Sequence, residues 1–137
     1  MSGFAFDLVT PDRLLVSRPV TMVTVPGEEG DFGVLVGHAP LVSGVRTGTI
    51  TIHDDGAVTE RYFVAGGFAE VTPERCTVLA EIAVPFSEMT REGLETEATR
   101  LRDVLSVTED EAARLKLERQ AALNEAKLTA LQQAGTH

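Results

Sequence analysis

The stretch V-P-G-E-E-G-D-F-G-V-L-V-G-H-A-P-L, Val25 to Leu41, places glycines at 27, 30, 33 and 37. Such a density belongs either to a phosphate cradle, and then to an α/β fold, or to strands that bend and turn. A phosphate loop feeds backbone N–H groups into a helix N-terminus and adds a lysine and a hydroxyl, and the dinucleotide fingerprint needs Gly-x-Gly-x-x-Gly in the same setting. Here there is no basic residue, and Glu28, Glu29 and Asp31 supply three carboxylates that repel phosphate. The chain continues as the extended run F-G-V-L-V before Pro40 turns it. The glycines therefore serve strand geometry. The exposed acids at a strand turn suit either recognition of a basic or polar partner or a solvated turn.

Outward from this stretch, residues 1–85 repeat one style. F-A-F-D-L-V, R-L-L-V-S, V-T-M-V-T-V, T-I-T-I-H, V-T-E-R-Y-F-V-A, F-A-E-V and C-T-V-L-A-E-I-A are strand-length runs bounded by Pro, Gly or Asp. Such spacing predicts an antiparallel sandwich or barrel. The clearest unit is T-I-T-I-H-D-D-G-A-V-T-E-R-Y-F, a hairpin turning at Asp55-Gly56, with Ile50 and Ile52 on one face and Thr49, Thr51 and His53 on the other.

Beyond Pro85 the period becomes helical. Ser87 is placed to cap a helix over about 88–106, whose buried stripe is Leu94, Ala98, Leu101 and Leu105. Thr108 to Glu111 has the capping-box pattern for a second helix over about 109–133, striped by Ala113, Leu117, Ala121, Leu128 and Leu131, broken by Asn124 and ended by Gly135. The short connection predicts an antiparallel hairpin occupying 86–137. Two helices alone bury little apolar surface, so the hairpin must lean on the β domain or on another protein.

Composition narrows the function classes. In 137 residues there is room for one cored domain and an appendage, and no apolar run approaches the roughly 18 residues of a membrane span. The N-terminus has neither a basic n-region nor an Arg-rich presequence, so no targeting signal is expected. A net charge of −9 argues against nucleic acid and against unaided binding to anionic lipid. Both lysines, Lys116 and Lys127, lie near the C-terminus beside Arg114 and Arg119. Cys76, the single cysteine, sits in a strand run and reads as a small core hydrophobe. His38, His53 and His137 have no metal-ligand spacing, and there is no Gly-x-Ser-x-Gly elbow or protease-like Cys/His pattern. No catalytic residue, metal or cofactor is expected.

V-P-G-E-E-G-D-F-G-V-L-V-G-H-A-P-L-V-S, then V-R-T-G-T-I-T-I, Y-F-V-A-G-G-F-A-E-V and C-T-V-L-A-E-I-A, preceded by F-D-L-V-T-P-D-R, resemble in order and spacing the epsilon-subunit family of bacterial F-type ATP synthases, called delta in mitochondria. The resemblance covers residues 4–83 and implies a ten-stranded β-sandwich followed by a two-helix hairpin. It also implies a non-catalytic rotor part at the foot of the central stalk, clasping the gamma subunit and resting on the ring of c subunits. Its place would be peripheral, at the cytoplasmic face of the bacterial inner membrane, with membrane association only through the complex.

On this resemblance Glu28, Glu29 and Asp31 are the candidates for contact with the c-ring. His38, Ala39, Pro40 and Leu41, with Ala65, Gly66, Gly67 and Phe68, are the candidates for contact with gamma. Some relatives bind ATP through Asp-x-x-Arg-Ala at the start of the first helix. Thr90 and Gly93 stand in place of the aspartate and arginine, so no nucleotide is expected to be held here. Relatives can also raise the hairpin against the alpha and beta subunits to block hydrolysis. Arg114, Lys116, Arg119 and Lys127 are the candidate contacts, but Glu118 and Glu125 interleave them, a solvated salt-bridged face fits the same pattern, and at most weak inhibition is expected. Val36 and Thr47 stand where relatives often carry proline, a change of turn stiffness. Two readings compete: a free-standing sandwich that binds a small molecule saturably as a monomer, and a small hydrolase whose turnover survives separation from other subunits.

Overall fold

The computed structural model describes residues 3–135. They divide between Phe86 and Ser87 into two compact units.

The first unit contains eight strands among the described residues: β1 (Phe4–Val9), β2 (Leu14–Val20), β3 (Met22–Gly27), β4 (Gly30–Leu35), β5 (Leu41–Gly44), β6 (Gly48–Asp54), β7 (Ala57–Val71) and β8 (Arg75–Pro85). Their order is β2-β1-β8-β7-β6-β3-β4, with β5 joined to β7 off this path. The expected ten strands are met because β7 and β8 each serve twice. The first part of β7 pairs with β6 as far as Val64, whereas β5 pairs with its second part from Phe68 to Val71. In the same way β8 pairs with β1 only from Arg75 to Leu79 and continues to Pro85 beside β7. One layer is thus β4-β3-β6 with the first part of β7 and the end of β8. The other is β2-β1 with the start of β8, the second part of β7, and β5.

The bend between layers falls at Gly66 and Gly67, both at positive φ. A side chain at Gly67 would overlap the Leu79 carbonyl oxygen of the neighbouring strand, so the crossing demands glycine there. This is why Y-F-V-A and F-A-E-V, separate in pattern, are one continuous strand. Two further differences from the pattern appear. β5 is a strand although Pro40 precedes it, and β1 runs parallel to β8, an exception to the antiparallel expectation.

Alternation fills the space between the layers. Phe6 and Leu8 of β1, Val23 and Val25 of β3, and Ile50 and Ile52 of β6 are fully buried. They form one cluster with Val64, Val71 and Val78. Thr49, Thr51 and His53 take the opposite face, as expected. Cys76 is fully buried in this cluster, and burial, with the Asp7 charge adding, pushes its thiol up to about 12, so it stays protonated and inert. Asp55 and Gly56 both have positive φ, making the tight β6–β7 turn with the twist a hairpin prefers.

The second unit is a pair of helices, α1 (Arg91–Val107) and α2 (Glu111–Gly135). The capping expectations are corrected at both starts. Residues Phe86–Glu88 form a short 3-10 turn, and Thr90, not Ser87, caps α1, its hydroxyl accepting from the Gly93 amide at 3.0 Å. For α2 the cap is Asp110, whose carboxylate accepts from the Ala113 amide at 2.9 Å. Thr108 instead closes the end of α1, its amide and hydroxyl donating to the carbonyls of Leu105 and Val104.

Candidate functional site

The acidic turn joins β3 to β4. Gly27 and Gly30 pair across it, leaving Glu28 and Glu29 as the exposed tip. Glu28 folds back over Gly44, where an added side chain would overlap its carboxylate. Asp31 takes an ion pair from Arg46 at 2.5 Å, and the same guanidinium donates to the Gly27 carbonyl at 2.6 Å. The three acids are therefore not equivalent: Asp31 is ion-paired, Glu28 lies over Gly44, and Glu29 is exposed on the tip.

The segments expected to meet gamma are spread along one layer. His38 lies in the β4–β5 loop with its Nδ1 at 2.6 Å from the Ala39 carbonyl oxygen, and Ala39 and Pro40 are exposed. Leu41 packs against the core, so its side chain is not an outward contact, and the outward neighbour is Val42, 70% exposed. Ala65, Gly66 and Gly67 are the bend of β7 itself, and only Phe68, at 63% exposure, offers a large side chain outward.

Phe68 does not stand alone. It pairs directly with Leu79, Leu79 with Val9, and Val9 with Leu14. These four lie in one cross-strand row over β7, β8, β1 and β2, about 14 Å long at the usual strand spacing. Leu79 is 55% exposed and Leu14 60%. Val42 sits diagonally beside Phe68, since Gly44 is its direct partner. The next outward row is polar, running Glu70, Thr77, Asp7 and Ser17, with Asp7 ion-paired to Arg75. An apolar row edged by polar groups is the pattern of a docking surface. Val9, Leu14, Val42 and Leu79 were not singled out from the sequence. Val9 beside the buried Leu8, and Leu79 between the buried Val78 and Ala80, are marked as outward by alternation, but only the strand order brings them together with Leu14 and Val42.

At the lateral edge of the sandwich an ionic clasp ties the two layers. Arg18 of β2 reaches Glu60 at 2.5 Å and Asp54 at 3.1 Å, and Tyr62 donates to Glu60 at 2.5 Å. Hydrogen bonds from Arg18 and Thr59 hold Asp54 below the usual carboxylate range. Burial alone would raise Glu60, but its bonds from Tyr62 and Arg18 outweigh this and lower it. Burial, then the bond to Glu60, raises Tyr62. All the groups of this clasp are satisfied within the fold, so it is a structural tie.

In the helical unit the expected contacts take up different positions. Arg114 donates to the Leu105 and Thr108 carbonyls at 2.8 and 3.0 Å, closing the C-terminus of α1, so its charge is engaged within the hairpin. Lys116 and Arg119 are exposed, and Lys127 is half-buried. Thr90 and Gly93, at the altered nucleotide motif, are the helix cap described above. Asn124 does not break the stripe of α2. It is buried, and its amide donates to the Leu94 carbonyl at 2.8 Å. His137 lies outside the described residues, and among those described no cluster of His, Cys, Asp and Glu is placed to hold a metal ion. Nor, among them, is any helix long and apolar enough to cross a membrane.

Residues 3–86 match the family model described as ATP synthase, Delta/Epsilon chain, beta-sandwich domain. Over 125 residues the chain is 46% identical to the ATP synthase epsilon chain of Rhodospirillum rubrum, covering 91% of this chain and 93% of that one. It is 55% identical over 100 residues to the epsilon chain of Paramagnetospirillum magneticum, covering 73% and 75%. Among solved structures, a chain of the Euglena gracilis mitochondrial ATP synthase, OSCP/F1/c-ring, superposes with a TM-score of 0.72 at 28% identity, over 98% of this chain and 82% of that chain.

Proposed function

We propose, from the premise that this chain belongs to the delta/epsilon family of ATP synthase, that its β-sandwich couples the gamma subunit to the c-ring by gripping gamma with the outward row of Phe68, Leu79, Val9 and Leu14. As a member of that family it is a subunit of ATP synthase, a part of the central stalk and not a catalytic one. Its association with the membrane is peripheral, through the complex, and we assign it to the cytoplasmic face.

The observation that carries the reading is the exposed apolar row. Apolar surface left in water forgoes about 25 cal/mol per Å², so a partner that covers it gains that term before ordering costs. A large exposed aromatic in such a row is the residue type that dominates binding energy, and the polar row beside it supplies the rim. A rotor must transmit torque without slipping, and a stiff sheet face serves that better than a loop. His38, Ala39, Pro40 and Val42, at the end of the same layer, extend the surface.

For the ring, the supporting feature is the acidic β3–β4 turn, with Glu28, Glu29 and Asp31 on a short hairpin. The hairpin helices are assigned at most a weak inhibitory role, through Lys116, Arg119 and Lys127 toward the alpha and beta subunits, since Arg114 is engaged in closing α1. No nucleotide site is assigned, because Thr90 and Gly93 carry neither charge and serve as a cap.

The test is co-elution of the purified chain with its cognate gamma subunit at low salt. Wild type is expected to co-elute, and Phe68→Ser with Leu79→Ser to weaken binding at least tenfold while leaving the circular dichroism spectrum unchanged, since both residues are exposed. Neutralising Glu28, Glu29 and Asp31 together is expected to leave gamma binding intact and to lower the coupling of proton flow to ATP synthesis. Undiminished binding by the Phe68/Leu79 double variant removes the row from the interface.

A further inference from the structure

One segment ties the two proposed surfaces together. Residues 44–46, from the last residue of β5 onward, run beside the root of the acidic turn: Glu28 donates its amide to the Gly44 carbonyl at 3.0 Å, and Arg46 donates its own amide to the Pro26 carbonyl at 2.9 Å. Between them the Val45 amide donates to the Gly67 carbonyl at 2.9 Å, at the bend immediately before Phe68. These backbone bonds secure the root of the turn to the layer that carries the apolar row. They do not reach its far arm. The Arg46 side chain does, because one planar guanidinium bonds the Gly27 carbonyl on β3 at 2.6 Å and the Asp31 carboxylate on β4 at 2.5 Å.

We infer that Arg46 is a positioning residue that fixes the acidic turn relative to the apolar row, so that rotation taken up at one surface reaches the other without slack. The inference rests on the rotor reading above and adds to it the element joining its two contacts. A surface ion pair adds little to overall stability, and both Arg46 and Asp31 are substantially exposed. What the fork provides is geometry. Two bonds from one rigid plane to the two arms of a hairpin limit the swing of the tip about its root, which the backbone bonds at the root alone allow. Lysine, a point charge on a flexible stem, holds one arm at a time. Asp31 on this view acts through Arg46, and Glu29 is the acid left to meet a partner.

The experiment has two arms. In the full-length chain, Arg46→Ala is expected to speed amide hydrogen exchange at Glu28–Asp31 about tenfold, Arg46→Lys about threefold, with the denaturation midpoint unmoved. In the assembled complex in vesicles, Arg46→Ala is expected to lower proton-driven ATP synthesis severalfold with gamma co-elution retained, and adding Asp31→Asn to make it no worse, because the pair acts as one unit. Unchanged exchange in Arg46→Ala overturns the positioning role. Faster exchange with undiminished synthesis in Arg46→Ala, while neutralising the three acids does lower synthesis, overturns its bearing on coupling. If synthesis withstands the neutralisation of all three acids as well, the ring-facing reading beneath it falls instead.

Discussion

In the sandwich, fully buried side chains from distant strands, Phe6, Leu8, Ile50, Ile52 and Val78 among them, form one cluster, and most of the holding force is area removed from water. In the helical hairpin, α1 buries Leu94 and Leu101, and two directional bonds join it to α2: Asn124 to the Leu94 carbonyl and Arg114 to the Leu105 carbonyl at the end of α1. The first arrangement is cooperative and tolerant of any one surface change. The second can be loosened one bond at a time.

The largest effect that would sharpen this contrast is expected at the bend of β7. Gly67 has φ 120°, and a side chain there overlaps the Leu79 carbonyl oxygen, a backbone atom that cannot yield without moving β8. Gly67→Ala is expected to cost about 3–5 kcal/mol, combining backbone strain and overpacking, and to unfold the sandwich cooperatively. Gly56 also has positive φ but open space where its side chain would lie, so Gly56→Ala is expected to cost only about 1 kcal/mol. Urea denaturation of the two variants measures the difference. Equal costs would mean that conformation alone, and not the crossing of layers, explains glycine at the bend.

The hairpin gives the intermediate effect. Asn124→Ala removes the donor to the Leu94 carbonyl and leaves a small void, at a cost of about 1–2 kcal/mol. It is expected to speed exchange of α1 amides about tenfold while sandwich amides keep their protection. Asn124→Leu is expected to recover most of that stability and to lose alignment, because an apolar side chain fills the space without choosing a partner carbonyl. If sandwich amides lose protection to the same extent, the two units do not respond separately and the contrast fails.

How much of this was legible depended on whether the signal was local. Ile50 and Ile52 against Thr49, Thr51 and His53 declared their faces, because the period of a strand is written in adjacent residues. The glycine-rich stretch declared itself β by the charges around it. The caps were ambiguous. Ser87, Thr90, Thr108 and Asp110 all have capping side chains, and the choice among them fell to the 3-10 turn at Phe86–Glu88 and to the closing of α1. The rest needed long-range pairing. Leu14, Val9, Leu79 and Phe68 form a row only because β1 lies parallel to β8, and Asp31 meets an arginine fifteen positions away. Asn124 looked like a flaw in its stripe because its partner is a backbone carbonyl, which has no signature in sequence.

The smallest expected effect lies at the Arg18 clasp and is a pH dependence confined to the sandwich. Asp54 and Glu60 both titrate lower in the fold than in the unfolded chain, so their contribution is present in full above the unfolded carboxylate range, roughly pH 4 to 4.5. It is lost as pH falls through their lower folded values, while Arg18 stays charged throughout. The partners are partly exposed and screened by solvent, which limits the clasp to at most about 1 kcal/mol. Tyr62 has the opposite sign. Its raised value means that its bond to Glu60 contributes below about pH 10, the ordinary tyrosine value, and is lost above it, so the two ends of the clasp weaken at opposite extremes of pH. Denaturation midpoints for wild type and Arg18→Met, measured from pH 7 to pH 3, are expected to converge as the acids protonate, since the variant has no clasp left to lose. Parallel curves would show that the two layers are held at this edge by burial alone, and would make the sandwich still more unlike the bond-by-bond hairpin.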